Sequence, residues 1–124
     1  MFISRKEVYK RPNYTRPFLK VYNDGRFYLS KKLTEILEIE NTKDEGFVLG
    51  YTDEFVYIAY SKEELSFKGS FKNKLSGIQF TNKAEQTKIY NFFKIKFDKY
   101  IKLDLVLHDF VIEQGYKFYK LKRF

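Results

Sequence analysis

Cysteine is absent from the 124-residue chain, and histidine occurs once, at His108. The first absence excludes disulfides, zinc–thiolate sites and cysteine nucleophiles, and it fits a reducing compartment. The second leaves a hydrolytic triad with no base except His108, which sits in the strand-like LDLVLHDFVI, where a place on a strand face is favoured over catalysis. No stretch approaches the roughly 20 apolar residues of a membrane span, and the opening MFISRKEVYKRPNYTRPF has no signal-peptide core. The chain therefore reads as cytoplasmic, from a bacterial or phage-infected cell, with no membrane partner. A Gly-rich phosphate loop is missing, and no acidic residue has a lysine two positions later, as a common nuclease core requires. Asp98, Asp104, Asp109 and Glu113 could gather around a divalent cation, but solvent-facing strand acids explain them equally well. The expectation is no cofactor and no enzymatic activity.

What the chain has in quantity is aromatic and cationic side chains. Fourteen Phe and eleven Tyr supply enough large apolar area to fold a chain that is 32% charged. Its length suits one domain, or two small halves sharing a core. The net charge of +8 invites a polyanionic partner, although nineteen Lys beside five Arg also follow from AT-rich codon usage. Distribution says more than the total. Residues 1–34 carry nine cations against two anions, residues 35–66 two against nine, and residues 67–124 thirteen against five. A basic, acidic, basic chain fits a polarised surface.

Local patterns give an element order. FLKVY (18–22) and RFYL (26–29) flank Asn23-Asp24-Gly25, a three-residue hairpin loop with glycine at its left-handed position. Ser30 reads as an N-cap before Leu33, Ile36 and Leu37 on one face of a helix reaching about Glu38. FVLGY (47–51) and FVYIAY (55–60) form a second hairpin. The order then recurs. SFKGSF (66–71) and GIQFT (77–81) are strands, Asn82 and Glu85 have capping-box spacing, and a helix runs through about Phe93. IKF (95–97), YIKLDLVLHDFVI (100–112) and YKFYKLKRF (116–124) are strand-like, with a turn at Gln114-Gly115. Setting Gly25 over Gly77 superposes Ser30 on Asn82 and Lys31 on Lys83, 52 residues apart.

The segment GRFYLSKKLTEILEIENTKDEGFVLGYTDEFVYIAY (25–60) resembles the AbrB-type swapped-hairpin domain, in which a glycine-led strand, a small cap, a short Leu-rich helix and a β-hairpin follow in that order. Two such units in one chain are similar to the MraZ arrangement. The resemblance implies an α+β, β-rich fold of two strand–strand–helix–strand–strand units in a pseudo-two-fold, swapped-hairpin-like barrel. The expected division is a basic arm over 1–17, a first unit over 18–62 and a second over 63–124, with one shared core. The resemblance also implies DNA binding through basic residues at strand and loop edges, which here are Arg16, Lys20, Arg26, Lys31 and Lys32, with Lys72, Lys74 and Lys83 in the second unit.

Arg5, Arg11 and Arg16 place three of the five arginines in the arm, together with both prolines. Such a segment suits a phosphate backbone, a minor groove or a protein neighbour. Tyr22, Phe27, Tyr28, Tyr51, Tyr57 and Tyr60 interleave with cations in a way that suits stacking of unpaired bases, with core packing as the alternative. Two functions stand: a nucleic-acid-binding protein, with duplex DNA expected, and a protein-interaction or structural component of a phage or mobile element, with a homo-oligomer possible.

Overall fold

The computed structural model describes residues 17–64, 66–71 and 77–123. Among the described residues eight strands and two helices follow one another as β1 (Phe18–Tyr22), β2 (Arg26–Leu29), α1 (Lys31–Leu37), β3 (Gly46–Tyr51), β4 (Val56–Ser61), β5 (Ser70–Phe71), β6 (Ile78–Thr81), α2 (Lys83–Phe92), β7 (Tyr100–Glu113) and β8 (Tyr116–Arg123). The fold is strand-rich α+β, as expected. All strands join one antiparallel sheet in the order β3-β4-β8-β7-β1-β2-β6-β5. The sheet is curled like a half-barrel. Phe47 on β3 and Phe67 just before β5 link its two ends through an isolated antiparallel bridge. Neither half of the chain keeps its hairpins together: β1-β2 lies between β7 and β6, while β3-β4 pairs with β8.

Local chemistry sets the boundaries. Gly25 adopts φ 100°, closing the β1–β2 loop with its N–H donating to the Tyr22 carbonyl at 3.1 Å. Ser30 caps α1: its Oγ accepts from the Leu33 N–H at 3.2 Å and from the Phe18 N–H at 3.0 Å, tying the helix to β1. Asn82 caps α2 in the same way, accepting from the Glu85 N–H at 2.9 Å. Both helices end in a left-handed residue without glycine, Glu38 at φ 61° and Lys94 at φ 59°. In each the following isoleucine reaches back five residues, Ile39 to the Thr34 carbonyl at 3.2 Å and Ile95 to the Tyr90 carbonyl at 2.9 Å.

That second termination corrects one expectation. IKF (95–97) is not a strand, because Ile95 is committed to ending α2 and Phe97 beyond it is 92% exposed. SFKGSF also departs from a single strand. Phe67 bonds to Phe47, and only Ser70 and Phe71 pair with β6.

The core is one cluster. Leu19, Val21, Phe27, Leu29, Phe47, Ile58, Ile78, Leu103 and Leu121 from the sheet meet Leu33 of α1 and Ile89 of α2, each essentially inaccessible to solvent. Period-two alternation along β1, β2 and the start of β7, Tyr100 to Leu103, leaves every second residue there on the outer face.

Candidate nucleic-acid interface

That outer face is where the cations meet aromatic rings. Phe18, Lys20 and Tyr22 of β1, Arg26 and Tyr28 of β2, and Tyr100 and Lys102 of β7 share it. Register places Lys20 directly opposite Lys102 on one side and Tyr28 on the other, and Tyr22 directly opposite Tyr100. The Tyr22 and Tyr100 rings approach to 5.9 Å between centroids. Lys20 Nζ lies 4.4 Å from the Tyr100 centroid, Lys102 Nζ 4.6 Å from that of Phe18, and the Arg26 guanidinium carbon 4.5 Å from that of Tyr22. Contacts of this kind are worth roughly 0.5–1 kcal/mol each at exposed positions. They offset the repulsion of two like charges facing each other across a ladder.

Arg26 is further held by Asp24, at 2.8 Å from Nε to the carboxylate. Desolvation is the largest single influence on Asp24 and opposes its ionisation, yet the Arg26 backbone N–H and guanidinium together outweigh it and hold this carboxyl below the usual range. Lys83, in the first turn of α2, donates from Nζ to the Asn23 carbonyl at 2.7 Å, so it stands beside the same β1–β2 turn. The structure thus brings Lys20, Arg26 and Lys83 to one region. Lys31 and Lys32 open α1 at the other end of β2. Lys31 Nζ sits 5.1 Å from the Phe71 ring, and Lys32 is exposed. Arg5, Arg11, Arg16, Lys72 and Lys74 lie outside the described residues.

Sequence reasoning missed Tyr100 and Lys102. The alternation in YIKLDL, with Ile101, Leu103 and Leu105 buried, carried the signal that Tyr100 and Lys102 share the opposite face. Of the other aromatics weighed for stacking, Phe27 is fully buried in the core and Tyr51 packs against Phe92 with its hydroxyl on Glu85. Burial, with help from Glu85, pushes the Tyr51 phenol up.

The four acids considered for a cation disperse: Asp98 pairs with Arg123 at 3.2 Å and Asp109 with Lys120 at 2.9 Å. Among the described residues no three His, Asp or Glu side chains gather as a metal site. His108 is exposed on β7. No helix among the described residues is long and apolar enough to cross a membrane. No family model, curated protein or solved structure matches the chain.

Proposed function

We propose that the protein binds nucleic acid, meeting phosphates with the outer face of β7, β1 and β2. One observation carries the reading: Lys20 and Lys102 are direct cross-strand partners, flanked by the Tyr22–Tyr100 pair. Two lysines facing each other on a solvated sheet destabilise the fold slightly. A polyanion relieves that repulsion and releases counterions as it does so. Arg26 and Lys83 extend the positive surface past the β1–β2 turn, and the arm arginines Arg5, Arg11 and Arg16 are the further cations of this reading. No catalytic constellation is invoked, so the role is binding.

The same reading takes the architecture as two swapped-hairpin units related by a pseudo-two-fold axis. If the Phe47–Phe67 bridge is counted as closing the ring, exchanging β1, β2, β3 and β4 with β5, β6, β7 and β8 returns the same order of neighbours. The caps Ser30 and Asn82 stand 52 residues apart, in support of two related units.

Binding is tested by fluorescence anisotropy with labelled oligonucleotides across a salt series. Lys20→Glu with Lys102→Glu should weaken binding at least tenfold and flatten the logarithmic salt slope by roughly 0.7–0.9 per lost phosphate contact. An unchanged slope removes this face from the interface.

A second reading, a protein-interaction component, is favoured by a different feature. Beyond its pairing with β1, β7 exposes Leu107, Phe110, Val111 and Ile112, the last at 72%. Ile112→Asp should abolish any self-association or partner capture without altering nucleic-acid affinity, as read by light scattering and anisotropy.

A further inference from the structure

Beside the Arg26–Tyr22 stack the outer face sinks into a recess of about 310 Å³, lined by Tyr22, Arg26, Tyr28, Gln79 and Thr81 along the β2–β6 ladder where Phe27 and Phe80 pair, their rings turned into the core. The volume lies at the small end of ligand sites, roughly 300–1,000 Å³. It suits a single planar group.

The walls are fixed. Tyr28 sits opposite Gln79 and Arg26 opposite Thr81 in the β2–β6 register. The Tyr28 hydroxyl accepts from the Gly77 N–H at 3.0 Å, and Asp24 anchors Arg26 over Tyr22. The rim offers chemistry of two kinds. Gln79, exposed on β6, presents an acceptor and two donors side by side. Arg26 presents positive charge held against the Tyr22 ring, and Lys20 and Lys102 carry the same kind of charge farther along the face, on β1 and β7.

We infer that this recess receives one unstacked base of a single-stranded nucleic acid, with Gln79 reading its edge and adenine preferred. The inference rests on the nucleic-acid reading and narrows it. In a duplex the base faces are stacked on one another and cannot enter a recess in a sheet, whereas every unpaired base has a face to offer a tyrosine. Because the cations lie over the rings in the free protein, binding is an exchange. Lys20 swings to phosphate from Tyr100 and, at 5.8 Å, from Tyr22, Lys102 swings from Phe18, and bases take the ring faces they leave. A glutamine amide forms two parallel hydrogen bonds with adenine on either of two edges, N6 with N7 or N6 with N1, whereas an unpaired cytosine offers the same donor and acceptor order on its N4 and N3 edge alone. DNA and RNA strands share this chemistry.

The test uses the full chain and labelled homopolymers of each base, roughly 12 nucleotides long, as DNA and as RNA, together with a duplex of the same length. The inference expects single strands to bind more tightly than the duplex, with the adenine strand first. Gln79→Ala should erase the ranking among bases and leave the salt slope unchanged. Tyr22→Ala should weaken every single strand tenfold or more, the scale of one lost base–aromatic stack. Arg26→Lys, which keeps the charge but loses the planar group, should weaken them less. Thermal melting of each variant verifies folding, and Gln79→Ala, at an exposed position, serves if Tyr22→Ala unfolds. Tighter binding to the duplex, or a base ranking indifferent to Gln79, overturns the inference and leaves the nucleic-acid reading in place. Absence of binding to any of these strands overturns both.

Discussion

Phe47 and Phe67 exchange two backbone hydrogen bonds, of 2.9 and 2.8 Å, and their rings lie 5.5 Å apart. Phe80 of β6 completes a trio, with centroids 5.4 Å from Phe47 and 5.1 Å from Phe67. The two ends of the curled sheet are therefore held by one bridge and three rings. Gly46 leaves room for this approach, since a Cβ there would stand 2.0 Å from the Phe67 carbonyl oxygen.

Phe67→Ala should cost about 2 kcal/mol, less than a fully buried phenylalanine because Phe67 retains some exposure. Gly46→Ala should destabilise by breaking the backbone bridge itself. Urea unfolding measures both. A midpoint unchanged in either variant would mean that the seam does not contribute to stability.

Acid stability should depend on Glu45. Its carboxylate accepts from the Tyr60 hydroxyl at 2.5 Å, from the Asn41 N–H at 2.7 Å and from the Glu40 N–H at 2.9 Å. The Tyr60 bond first, then the backbone bonds, hold its pKa below the ordinary 4.5, and the same contact pushes Tyr60 up to about 12. A depressed carboxyl pKa adds stability above pH 4.5 that is lost as pH falls through the folded value. Glu45→Gln should therefore melt below the wild type at neutral pH, and the gap should close on acidification below 4.5. A gap that does not change with pH would leave Glu45 without this role.

Local chemistry in this sequence is self-announcing, and long-range pairing is not. Ser30, Gly25, Asn82 and the Gln114–Gly115 turn follow from cap and turn rules that need only a few neighbouring residues. The interleaving of the two halves rests on pairs such as Lys20 with Lys102, far apart in the chain, which no local pattern encodes. For that reason Lys20 and Arg26 were legible as site candidates, while Tyr100 and Lys102 required the register. SFKGSF reads as one strand because its composition is uniform. Its backbone instead turns from β3 to β6 near Gly69, where a Cβ would meet the Gln79 carbonyl oxygen at 2.1 Å.

Reversal of Lys31 and Lys32 to Glu tests the end of β2 remote from Arg26. The first turn of α1 holds no acid, and two lysines there oppose the helix dipole. The double variant should keep its fold, gain up to about 1 kcal/mol of stability, and lose nucleic-acid affinity by a smaller factor than the Lys20 and Lys102 reversal. Equal losses in the two variants would mean that the surface runs the whole length of β2.

Deletion of residues 1–16 tests the arm arginines Arg5, Arg11 and Arg16. The described chain begins at Pro17, whose carbonyl accepts from the Leu105 N–H at 3.0 Å, immediately before Phe18 on the cation-bearing face. A truncation that keeps Pro17 preserves this hydrogen bond and every described strand. The truncated protein should melt close to the full chain yet bind nucleic acid at least tenfold more weakly, with a salt slope flatter by roughly 0.7–0.9 for each phosphate the three arginines contact. Unchanged affinity would confine the ligand surface to the folded strands. A large fall in melting temperature would instead make residues 1–16 part of what stabilises the fold, and the reading of the arm as ligand surface would fail.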